Sequence, residues 1–182
     1  MAIDEQAKTV LHFWFKENGE KQWFAKDDAL DQEITQRFHD LHRQAAAGEL
    51  WSWRETIQGR LAEIILLDQF SRNMFRDTPD AFMYDNLALA LSQEAISSDD
   101  LDALEPNQLA FLYMPFMHSE SSIIQELSVL LFNQDGLESF YPFAKDHADI
   151  IHQFGRYPHR NAVLNRESTE EELRFLKEHN GF

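Results

Sequence analysis

Thr56 to Phe70 reads TIQGRLAEIILLDQF, and after Arg60 almost every residue is apolar. A run of helical length that is apolar around most of its circumference predicts a central, deeply buried helix, even with Gly59 near its start. The other helices must then pack around it. At its exit this helix delivers Asp68, Gln69, Arg72 and Asn73.

Working toward the N-terminus, Leu30, Ile34, Phe38 and Leu41 form one stripe of a helix from Asp27 or Asp28 to about Ala47, ended by Gly48. An earlier helix is expected from about Glu5 to Phe15, stopped by Asn18 and Gly19. Working toward the C-terminus, Thr78-Pro79 suits the start of a helix over about Asp80 to Ile96 with its acids toward water. Pro106 opens a segment reaching Asn133 that Pro115 interrupts. That proline removes a backbone hydrogen bond and displaces the carbonyl of Phe111, so a kink or break is expected between Tyr113 and Ser119. Gly136 precedes a helix from about Leu137 to Phe154, with Pro142 in its first turn and Gly155 as its stop. GRYPHRNAVLNR reads as an irregular loop. Ser168 and Glu171, at capping-box spacing, start a last helix to about Asn180, with Gly181 closing the chain.

No segment alternates with period two for long enough to suggest a half-buried strand. The expected fold is all-α, a single helical domain over residues 1–182. In it, about seven to nine helices joined by short loops would pair as antiparallel hairpins.

Composition removes several classes of function. At 182 residues the chain can bury a sizeable core without staples. It contains no cysteine, which excludes disulfides, thiolate metal sites and cysteine nucleophiles. The opening MAIDEQAKTVLHFWF carries acids where a signal peptide would carry bases, and no apolar run approaches the roughly 20 residues of a membrane span. A soluble cytoplasmic protein without membrane insertion is expected. Sixteen Lys and Arg against 32 Asp and Glu give a net charge of −16, which argues against nucleic acid and anionic lipid as partners.

That charge is unevenly spread. Between Arg76 and Lys145 there is no Lys or Arg, against twelve acids. Arg72 and Arg76 stand before the gap, and Arg156, Arg160 and Arg166 return after it with His159 among them. The distribution fits either an acidic solvated surface or a localised cationic pocket.

Three strings carry the candidate chemistry. In LLDQFSRNMFR, Asp68 follows an apolar run and needs a cation or several donors, and Arg72 lies four residues on, at helical pairing distance. In FLYMPFMHSESSIIQEL, Tyr113, His118, Ser119 and Glu120 surround the proline break, and only irregular backbone could bring His118 and Glu120 to one site. In HQFGRYPHRN, residues Arg156, His159, Arg160 and Asn161 offer many donors and few acceptors, as loops that meet phosphates or carboxylates do. Equally, these guanidiniums could clamp Asp68, Glu120 and the last helix together. His118 and Glu120, two residues apart, make only a weak metal pair, and no HExxH, GxSxG, Walker loop or GxGxxG signature is present, so zinc protease, serine hydrolase and nucleotide-fold readings lack support; the sequence names no cofactor.

DQFSRNMFR, the Tyr113–Glu120 segment and FGRYPHRN, with the opening FWF and the closing STEEELRFL, resemble the bacterial DUF924 family over nearly the whole chain. The resemblance implies a compact tetratricopeptide-like helical domain and no assigned activity. One departure is Asn165, in LNR, where the family has glycine; Asn also adopts left-handed backbone geometry.

The leading expectation is one pocket for a small phosphate- or carboxylate-bearing ligand. His118, Glu120 and His159 would move protons, and Asp68, Arg72, Asn73, Tyr113, Arg156, Arg160 and Asn161 would bind, possible reactions being hydrolysis or group transfer. The rival is a helical interaction module that binds a peptide or protein partner around a structural polar core.

Overall fold

The structure is a computed structural model that describes residues 2–97 and 100–179. Its order is α1 (Glu5–His12), α2 (Glu20–Trp23), α3 (Asp28–Ala46), α4 (Ile57–Ile65), α5 (Ser71–Met74), α6 (Asp85–Ile96), α7 (Pro106–Met117), α8 (Ser122–Phe132), α9 (Tyr141–Phe154) and α10 (Glu170–Glu178). A π-helical turn, Leu66–Phe70, joins α4 to α5 without a break; with that run counted once, the described residues form nine helices and no strand.

Each boundary has a local cause. Asp4, Asp27 and Thr56 accept backbone N–H groups in the first turns of α1, α3 and α4, as orphan donors at a helix start require. Gly48 and Gly155 take φ of +72° and +70° just beyond α3 and α9. Asn165 sits at φ +53°, so it does hold the left-handed turn.

The expected central helix is the core. Leu61, Ala62, Ile64, Ile65, Leu66, Leu67 and Phe70 are fully buried, and α1, α6 and α7 pack on α4. Phe13 and Phe38 meet the Phe70 ring at 5.9 and 5.0 Å, and Trp14 lies 5.5 Å from it. Gly59 is a requirement of this packing: a Cβ there would come within 2.0 Å of the Trp53 carbonyl oxygen. Inside the same helix, fully buried Glu63 is held by a two-pronged fork from Arg54, both contacts at 2.7 Å.

Four expectations need correcting. The Thr78-Pro79 start gives only a 3-10 turn, Pro79–Phe82, and the helix proper begins at Asp85. The acids of that helix do not all face water, because Asp85 is turned inward to two arginines. The last helix is capped one residue later, by Thr169 and Glu172 rather than Ser168 and Glu171, and its expected end at Asn180 and Gly181 lies outside the described residues. A short helix, α2, was not anticipated; it carries Trp23, whose indole N–H donates to the Trp14 carbonyl at 2.8 Å.

Pro115 is accommodated inside α7, and the break follows at His118–Ser121. The carbonyls this frees are taken by distant side chains. The Gln125 amide donates to those of Met117 and Ser119 at 2.8 and 2.6 Å, the Tyr157 hydroxyl donates to that of Met117, and Arg160 donates to that of His118 at 3.0 Å. Consecutive helices α6 to α9 pack as neighbours, so this junction and the loop after α9 are stitched over the exit of the central helix.

Candidate functional site

Asp68 lies in the π-helical turn Leu66–Phe70 and is fully buried. Turns of this kind inside α-helices recur at functional positions. Its carboxylate receives His118 Nδ1 at 2.7 Å, the Gln69 amide at 2.6 Å and Arg72 at 3.2 Å. The Asp68–Arg72 pair expected from spacing is therefore formed, and His118 joins it from the break after α7.

Arg72 also forks onto Asp85, at 2.9 and 3.0 Å, and Arg160 reaches Asp85 at 3.1 Å. Phe82 and Tyr157 sandwich the Arg160 guanidinium, its carbon 4.3 and 4.8 Å from their ring centres. Residues from the start of α5, the start of α6, the break before α8 and the loop after α9 thus meet at one place. The two cations face two carboxylates, so the cluster balances if His118 is neutral. Balance in charge is not completion in hydrogen bonds: the buried Arg160 Nε has no acceptor among the described residues.

The acid–base properties follow from this packing. Burial pushes the Asp68 carboxyl up, but His118 and Arg72 beside it outweigh that and hold it well below the usual range. Burial, then Arg72, lowers His118 against the pull of Asp68. His118 is then a neutral imidazole that donates through Nδ1 to an ionised carboxylate, while Nε2 keeps its lone pair and meets no hydrogen-bond partner among the described residues. Its side chain is 15% exposed. His147, its ring centre 6.3 Å from that of His118, is pushed down to about 3, mainly by burial. His159 is pushed down to about 4, by burial and then Arg160, with its ring 5.4 Å from Tyr157.

The other expected residues separate. Glu120 does not orient His118; it accepts the Tyr157 N–H at 2.7 Å and a fork from Arg166 at 2.7 and 2.9 Å. Asn161 belongs with that group, accepting from Arg166 at 2.9 Å and donating to Ser168 at 3.0 Å. Arg156 clamps Glu172 at 2.7 and 2.8 Å and ties the loop to α10. Asn73 and Arg76 both bind Asp31 of α3. Tyr113 is core, its ring 5.9 Å from Phe132. Asp85, Phe82 and Tyr157 were missed as site residues. The one available signal for Asp85 was that an acid in a stretch without bases can find its cation only in a flanking cluster.

Among the described residues, no group of three or more His, Asp or Glu could hold a metal, and no helix is long and apolar enough to cross a membrane. The profile described as a bacterial protein of unknown function, DUF924, matches residues 10–180. The chain is similar to a solved structure, the protein of unknown function ATU0120 from Agrobacterium tumefaciens. The two are 40% identical, the match covers 95% of this chain and 97% of that one, and the TM-score is 0.90. No curated protein sequence matches significantly. The chain belongs to the DUF924 family.

Proposed function

We propose that this DUF924 protein binds a small phosphate- or carboxylate-bearing ligand beside the Asp68–His118 pair and uses His118 Nε2 to exchange a proton with it, in hydrolysis or group transfer. The supporting observation is the 2.7 Å contact from His118 Nδ1 to a fully buried carboxylate, which fixes the tautomer and leaves the opposite nitrogen as a base. Arg72 and Arg160 flank the pair, and the buried Nε–H of Arg160 meets no acceptor among the described residues, so the cationic side of the cluster is incompletely satisfied.

The binding group is smaller than the sequence suggested: Asp68, Arg72, His118 and Arg160, with Asp85 setting the arginines and His159 at the margin. An incoming anion adds negative charge to a balanced cluster, so it favours protonation of His118, and binding tightens as pH falls. A cytoplasmic location and a tetratricopeptide-like arrangement of one domain are part of the same reading.

A thermal-shift screen of phosphates, nucleotides and carboxylates on the wild-type chain, His118→Gln and Arg160→Lys tests it. One anion class should stabilise the wild type, by about 2.7 kcal/mol at a hundredfold excess over Kd, and stabilise the folded variants far less. Equal shifts in all three proteins, or none in any, would refute the reading.

A further inference from the structure

The α8 helix is inverted relative to an ordinary surface helix. Its outward stripe is Ile123, Leu127 and Leu130, at i, i+4 and i+7, and these are 69%, 42% and 68% exposed. Its inward face carries Gln125 and Ser128 beside Phe132, all fully buried, and Gln125 Oε1 and Ser128 Oγ lack hydrogen-bond partners among the described residues. On α9, the helix packed against α8, Phe143 is a further exposed apolar side chain. A helix that turns apolar residues out over two turns gains from being covered.

Charge selects the cover. The α8 segment lies inside the stretch from Arg76 to Lys145 that has twelve acids and no Lys or Arg. Exposed Glu126 borders the stripe, exposed Asp135 and Glu138 lie in the turn toward α9, and Asp146 stands three residues beyond Phe143, with Lys145 the one Lys or Arg in the sequence between Glu120 and Asp149. A second copy would set one acidic rim on another at a net charge of −16 each, and an anionic bilayer would be repelled in the same way. A cationic partner gains on both counts.

We propose that the outer face of α8 docks an amphipathic helix of a basic partner protein, its apolar residues at i, i+3 or i+4, and i+7 meeting Ile123, Leu127 and Leu130, and its Lys or Arg residues meeting the acidic rim. This face is distinct from the Asp68–His118 site, which needs none of these residues.

The test titrates fluorescein-labelled synthetic 18-residue helices against the full chain: one of Leu and Lys, its Leu and Glu twin, and a Ser and Lys peptide without apolar residues. Anisotropy is read for the wild type, Ile123→Ser/Leu130→Ser and, as a control at an exposed aromatic outside α8 and α9, Trp51→Ser. The Leu and Lys helix should bind at least tenfold tighter than either other peptide, lose at least tenfold in the double variant and keep its affinity in Trp51→Ser. Sedimentation of the unliganded chain should give a monomer. Comparable binding of all peptides, equal binding by the double variant, or a dimer that the double variant dissociates would overturn the proposal. The substituted residues are exposed, so an unchanged thermal midpoint shows that the variant is folded.

Discussion

Asp68 and His118 stand 50 positions apart in the chain and 2.7 Å apart in space, one in a π-helical turn of the central helix and the other at the break that follows Pro115. Together they put a buried carboxylate and a partly exposed imidazole in contact, with a guanidinium on the carboxylate and another on the His118 carbonyl.

Removing Asp85 leaves Arg72 and Arg160 without their shared acceptor. Breaking a buried pair from one side leaves an uncompensated charge, so Asp85→Ala should lose about 3–5 kcal/mol in urea unfolding. The exposed Glu5–Lys8 pair is the contrast, and Lys8→Ala should change stability by less than about 1 kcal/mol.

Acid should unfold the chain early. His42, His147 and His159 have an ordinary value of 6.5 and are pushed down to about 4, 3 and 4, chiefly by burial. Below 6.5 the unfolded chain binds protons that the folded chain refuses, so stability falls with pH across the window from about 6.5 to about 4. Asp68, Glu120 and Glu172, all held low, add a loss of the same sign at still lower pH. Denaturant midpoints from pH 8 to 4.5 should show a loss of a few kcal/mol by about pH 5.

Gly59→Ala should be among the most damaging small substitutions. The added methyl meets the rigid backbone carbonyl of Trp53, so a loss of about 3 kcal/mol is expected in chemical denaturation, although alanine is the better helix former.

Tyr157→Phe should separate structure from binding. Losing the hydroxyl removes a donor to the Met117 carbonyl and a contact with Gln125, for about 1–2 kcal/mol, while the aromatic shelf under Arg160 remains. Stability should drop in thermal unfolding with anion-induced shifts retained.

Much of this was legible in the sequence because helical periodicity fixes which residues share a face. The apolar run ending at Asp68 and the four-residue step to Arg72 both translate directly into geometry. Asn73 does not join Arg72 at Asp68 because the next residue on a helix points about 100° away, and there it meets Asp31. Glu120 was paired with His118 by proximity in the chain, yet the broken backbone turns the two apart, His118 to Asp68 and Glu120 to Arg166. Asp85 and Tyr157 were missed for another reason: Arg160 and the Met117 carbonyl, which they meet, lie 75 and 40 residues away, separations no helical periodicity encodes, and for Asp85 only the lack of nearby bases hinted at such a partner.

The most direct measurement is the nitrogen-15 spectrum of histidine-labelled protein, with His118 assigned by comparison with His118→Gln and followed from pH 8 to 5. We predict that His118 carries its proton on Nδ1 at pH 7, keeps Nε2 unprotonated, and titrates below the ordinary histidine value. A His118 that is protonated on Nε2 in its neutral form, or that remains an imidazolium above pH 7, would contradict a base poised by Asp68.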